Sequence, residues 1–146
     1  MPSRRCDGWS LLELLVALTI AAILAVWAAS AWSGYVARSR VLEAQAALDG
    51  LRTQMEAFFQ DNRSYLDPAT GACAVPAPTD VDGFRFRCQA TVTTDTWTAI
   101  NDGTQGLGPS GSYVFSVDQD GNRTTSAFAG KSVALACWIH RPNATC

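Results

Sequence analysis

The residues able to do chemistry are few and unevenly placed. Of five cysteines, Cys6 precedes a long apolar run, while Cys73, Cys88, Cys137 and Cys146 follow it. Four cysteines in a small polar segment read as two disulfides in an oxidising compartment, with three connectivities open. A Cys6 left on the reducing side of a membrane accounts for the odd number. His140 is the single histidine, so a multi-His metal centre is excluded by count and a His-based triad has one candidate base. A Cys3His zinc site would need Cys73 or Cys88 beside His140. Thiols outside the cytoplasm tend to oxidise first, so no metal is expected. Asp118, Asp120 and Asn122 alternate as in oxygen-ligand calcium loops, yet residues 123–146 contain no Asp or Glu to close such a site; a plain hairpin turn is expected. No phosphate-cradling loop, nucleophile–base motif or pair of acids suited to a cleft appears, so neither catalysis nor a cofactor is expected.

The elements that must carry these residues follow from how the apolar content is distributed. The chain has 146 residues, 48% of them hydrophobic, with a net charge of −2. That charge argues against a nucleic-acid binder working by overall positive potential, and six Phe, five Trp and three Tyr exclude intrinsic disorder. From Leu14 to Ala37 there is no charged residue. As a helix this stretch is roughly 36 Å long, enough to cross a bilayer with some tilt. Arg4 and Arg5 before it and Arg38 and Arg40 after it leave the orientation undecided on charge count. A secretory signal peptide is the first alternative, with Ala28-Ala-Ser30 as the cleavage site.

Glu13 stands at the edge of this run. A carboxylate deep in a membrane costs about 2.5–3.5 kcal/mol on insertion scales, so Glu13 either snorkels to water or awaits a positive partner. Gly8, the aromatic Trp9, three further residues and then Glu13, directly ahead of a long apolar helix, resemble the class III signal of type IV prepilins. The resemblance implies cleavage between Gly8 and Trp9 by a prepilin peptidase, methylation of the new terminal amine of Trp9, and removal of residues 1–8 as a leader. Glu13 would then pair with the terminal amine of a neighbouring subunit during filament assembly. A cation brought to a buried acid replaces the hydration both have lost. Many major pilins carry a glycine and a proline in the membrane helix. Here Ala22 and Ser30 occupy those places, and residues 9–33 hold neither Gly nor Pro, which favours a minor pilin or a pseudopilin over a major subunit.

Beyond Arg38 the helical pattern continues in amphipathic form. Ala37, Val41, Ala44, Leu48, Leu51, Met55 and Phe58 recur at alternating steps of four and three, an apolar stripe on one face. Residues 9–37 are thus expected as a membrane and polymerisation helix and 38–63 as its amphipathic second half, about 80 Å in all. Gly34 and Gly50 are candidate bends. Phe59-Gln-Asp-Asn-Arg-Ser-Tyr65 resembles the stretch that ends the long helix of PilE-type minor pilins; read on its own, it is a helix end with Asn62 as C-cap and Tyr65 packing back on the core.

Residues 64–146 read as an antiparallel β head. A loop rich in Pro and Gly leads to strand-like runs at 84–92, 96–100, 112–117 and 122–126, with turns at Thr94-Asp95 and Asp118-Gln-Asp-Gly121. The expected fold is α+β: a ladle whose long N-terminal helix packs on three or four antiparallel strands. Cys137 and Cys146 bound a ten-residue terminal stretch that resembles the disulfide region of type IV pilins. Cys73 and Cys88 flank the loop into the first strand. Arg85, Arg87 and Arg123 are a candidate basic patch with DNA as its ligand; strand-surface arginines are the plainer account. Three Asn-x-Ser/Thr sequons, at Asn62, Asn122 and Asn143, are chance matches in a bacterial chain.

The expected function is that of a type IV pilus subunit, a minor pilin serving pilus biogenesis, adhesion, twitching motility or DNA uptake. Its expected partners are other pilin subunits, the prepilin peptidase and the inner-membrane assembly platform. It would lie in the inner membrane with its amino terminus inside before assembly, and in the extracellular filament afterwards. The alternatives are a pseudopilin of a type II secretion system and a monomeric membrane-anchored binding domain.

Overall fold

The computed structural model describes residues 10–79 and 81–146; the leader, Cys6, Gly8 and Trp9 lie outside them. Helix α1 is Leu11–Asn62. The chain divides into two compact units at Val36/Ala37.

In the first unit α1 is apolar, and every side chain described from Leu11 to Tyr35 is exposed. In the second, residues 37–62 of α1 contribute Val41, Ala44, Leu48, Leu51 and Met55 to the core. The buried stripe keeps the predicted spacing up to Met55 and then rolls: Phe59, rather than Phe58, packs on the core. The helix end explains the shift. Arg63 takes a left-handed conformation (φ 56°) and its amide donates to the Phe59 carbonyl at 2.7 Å, an αL cap with Asn62 as the last half-helical residue. The turn brings the Tyr65 ring onto Phe59, centroids 4.4 Å apart, and the Tyr65 hydroxyl donates to Glu56 Oε2 at 3.2 Å.

The sheet has five strands, one more than the most expected. They are β1 Phe84–Ala90, β2 Asp95–Asn101, β3 Val114–Asp118, β4 Arg123–Phe128 and β5 Lys131–Leu135, in the order β1-β2-β3-β4-β5, each antiparallel to the next. Each strand thus hydrogen-bonds to its sequence neighbour, which needs only short connections. Strict alternation puts Phe84, Phe86, Trp97, Ala99, Phe115 and Val117 on the face that meets α1. β5 escapes the sequence reading because its turn is Ala129-Gly130, at φ 50° and 77°. Two successive positive φ values make a type I′ hairpin, which usually announces itself as Asn-Gly or Asp-Gly.

Candidate functional site

The amino-terminal unit is built to be covered by something apolar. Leu12, Leu18, Ile23, Leu24 and Val26 are all more than 60% exposed, and so are Trp27, Trp32 and Tyr35. Burying one such side chain is worth about 1.5–3 kcal/mol, so leaving this set in water is strongly unfavourable. The polar groups of the segment fit an apolar medium. Its amides and carbonyls are engaged in the helix, and the Thr19 hydroxyl donates back to the Val16 carbonyl at 2.8 Å, so that hydroxyl needs no partner from outside. Leu11 to Trp32 spans roughly 32 Å of helix, close to the hydrocarbon thickness of a bilayer. Trp32 and Tyr35, their rings 6.2 Å apart, follow at the end, where amphipathic aromatics settle at an interface. By length and composition α1 is able to cross a membrane.

Glu13 lies in the first turn of α1, where the Ser10 carbonyl accepts the amides of Glu13 and Leu14 at 3.0 and 3.2 Å. A carboxylate there complements the positive end of the helix dipole. It is exposed among leucines, open to a cation brought by another molecule.

In the head, the disulfides pair Cys73 with Cys88 and Cys137 with Cys146. The first ties the loop after α1 to β1. The second closes the terminal segment, which is seated by its main chain: buried Thr125 donates its hydroxyl to the Cys137 carbonyl at 2.7 Å and accepts the Ile139 amide at 3.3 Å. Gln45 of α1, also buried, donates to the Ile139 carbonyl at 3.0 Å. With both pairs of sulfurs oxidised, none of these four cysteines offers a thiolate to a zinc at His140. No cluster of metal-ligating side chains occurs among the described residues.

The basic patch does not form. Arg85 and Arg87 point outward from β1, whereas Arg123 pairs across the sheet with buried Val117 and so lies on the opposite face. There it bridges Asp49 of α1 at 2.7 and 2.9 Å and lies 4.7 Å over the Trp138 ring. Its charge is spent on a helix–sheet contact. The Asp118 loop is a turn, as expected: Asp118 Oδ1 accepts the amides of Asp120 and Asn122 at 3.0 and 2.8 Å, and Oδ2 accepts the Asn122 side chain at 2.9 Å. Burial pushes the Asp118 carboxyl up, but these donors outweigh it and hold it below the usual carboxylate range.

Another buried polar residue, besides Gln45, escaped the sequence reading. Asn101, fully buried, accepts the Tyr113 amide on its side-chain oxygen at 2.8 Å and donates to the Pro109 carbonyl at 3.0 Å; it holds the long β2–β3 loop closed. The signal was there, since Asn101 shares the period-two face of Trp97 and Ala99.

Residues 3–29 match the family model for the prokaryotic N-terminal methylation motif. The amino terminus carries a prokaryotic N-terminal methylation motif. It contains Gly8, Trp9 and Glu13 and most of the exposed apolar helix. Over longer stretches the chain is similar to type IV fimbrial proteins. It is 38% identical to the type IV major fimbrial protein FimA of Dichelobacter nodosus over 66 residues, 44% of this chain and 41% of that one. It is 38% identical to a fimbrial protein of Moraxella nonliquefaciens over 60 residues, 41% and 39% of the two chains. Against the type IV major pilin protein PilE1 of Neisseria gonorrhoeae it is 29% identical over 76 residues, 52% and 46%. The chain therefore spans about two fifths of the length of the relatives it matches most strongly.

Proposed function

We propose that this chain is a structural, non-catalytic subunit of a type IV pilus, processed between Gly8 and Trp9 and packed into the filament through α1. The observation that carries the proposal is the methylation motif running directly into a helix whose apolar side chains are exposed all round. Before assembly the bilayer covers that helix; in the filament, sister helices do. Cleavage on the cytoplasmic side frees an amine close to the first helical turn, and Glu13 of a neighbouring subunit is its counter-ion. The prepilin peptidase and the membrane assembly platform are the partners this route requires.

Within that reading we assign a minor subunit, on the absence of Gly and Pro from residues 9–33: a helix with no breaker has no built-in place to melt on packing. The names of the similar proteins favour the alternative, a main-shaft subunit.

Intact mass and terminal sequencing of protein from sheared surface filaments test both assignments. The expected result is a chain beginning at methylated Trp9, present at a small fraction of the main subunit and depleted by Glu13→Ala. A chain that keeps residues 1–8 and occurs only in membranes would refute the pilus assignment. Abundance equal to that of the principal filament protein would replace the minor role with the major one.

A further inference from the structure

Among the described residues, all the buried side-chain polar atoms without a hydrogen-bond partner fall on three side chains: Arg52 Nε, both carboxylate oxygens of Asp95, and Trp97 Nε1. Asp95 and Trp97 are neighbours on the inward face of β2, and Arg52 reaches the same junction from α1. Asp95 is 2% exposed. Its main chain is locked to the β3–β4 turn: its amide donates to Gln119 Oε1 at 3.3 Å and its carbonyl accepts the Gln119 amide at 3.2 Å. Arg52 Nη2 donates to the Gln119 carbonyl at 3.4 Å. Helix, strand and turn thus close over a carboxyl group that none of them satisfies.

The charges around it do not compensate. Arg52 and Glu56 face it from α1, Tyr65 from the segment after the helix, and Asp118 from the end of β3; Asp120 in the turn acts on Tyr65. The residue opposite Asp95 on β1 is Ala90, which carries no charge. One guanidinium therefore stands against several carboxylates, and an ionised Asp95 is the costliest group at the junction.

We propose that Asp95 is an internal proton-binding site between helix and sheet: the folded head takes up one proton there, so mild acid tightens the packing of residues 37–62 on the sheet and neutral pH loosens it. Desolvation is the main cause; Arg52 offsets part of it, and Asp118 and Glu56 add to it, leaving the carboxyl at about 6. The unfolded chain has the ordinary value near 4. The stabilisation is then fully present below the unfolded value and is lost as pH rises through the folded one.

The test is urea unfolding of the full chain in detergent micelles, read by hydrogen-exchange protection of residues 95–101, at pH 5 and pH 7.5. For one proton the unfolding constant should rise roughly ten-fold between the two. Asp95→Asn should abolish most of the difference. Asp61→Asn, which removes an exposed carboxylate from the far end of α1, away from the groups that face Asp95, should leave it intact. A parallel carbon-NMR titration of the wild-type Asp95 carboxyl keeps the test decisive even if the Asn variant does not fold. Titration near pH 6 supports the site. Titration near pH 4, or an Asn variant that keeps the wild-type pH dependence, overturns it.

Discussion

At the scale of single residues, the head depends on a few buried polar side chains that each serve main-chain groups. Asn101→Ala would strand the Tyr113 amide and leave the Pro109 carbonyl with the Ser112 amide alone. A buried polar group left without its partner costs about 1–3 kcal/mol, so the urea midpoint of the head should fall accordingly, with the β2–β3 loop the first region to lose hydrogen-exchange protection. Thr125→Val keeps the shape and removes both contacts to the terminal segment; a similar loss is expected, confined to protection around residues 137–139. Asp118 has a pH dependence of opposite sign to that of Asp95. Its carboxyl is held low, so its contribution is present above the ordinary carboxylate range and is lost as pH falls through its depressed value. Asn122→Ala, which removes one of the donors, should raise the Asp118 titration point in a carbon-NMR experiment. A value unchanged from wild type would assign the depression to the backbone amides alone. These residues were the hardest to see in the sequence, because Asp and Asn read as turn formers. Only the alternation of Asp95, Trp97, Ala99 and Asn101 marks the two polar ones as inward.

At the scale of elements, the periodic parts were legible and the turns only in part. The steps of four and three from Val41 to Met55 identified the buried helix face, and alternation across Phe84, Arg85, Phe86 and Arg87 identified β1. The roll to Phe59 was not legible, since it is set by a left-handed Arg63, a residue type that carries no sign of that conformation. β5 was missed for a related reason: its turn places Ala129 at φ 50°, where a Cβ is disfavoured by about 1–2 kcal/mol. Replacing Ala129 with Gly or Asn should relieve part of that cost and raise the melting temperature of the head by a few degrees. A fall instead would mean that Ala129 makes a contact worth more than the strain. The Cys73–Cys88 bridge closes a 15-residue separation, and its removal as a double Ser variant should cost about 3 kcal/mol by loop entropy.

At the scale of the molecule, two solvents are specified in one chain. The exposed apolar surface is concentrated in the first unit, while the core and both disulfides belong to the second. Residues 37–146 produced alone in an oxidising compartment should therefore be soluble and monomeric by size-exclusion chromatography, with both bridges formed. Persistent aggregation of that fragment would place a further sticky surface on the head. This division was visible in the charge-free run from Leu14 to Ala37 before any contact was known. What the run could not disclose is how the head holds its own terminus. Thr125 and Gln45 grip residues 137–139 through main-chain atoms, and the second disulfide fastens the far end. His140, Arg141, Pro142, Asn143 and Thr145 all face solvent. A loop clamped by its backbone at one end and by sulfur at the other places little demand on the letters between. Foreign peptides of moderate length grafted between His140 and Asn143, with Ala144 kept in its place against the core, should be displayed without unfolding the head, which makes the segment a cassette for engineered display.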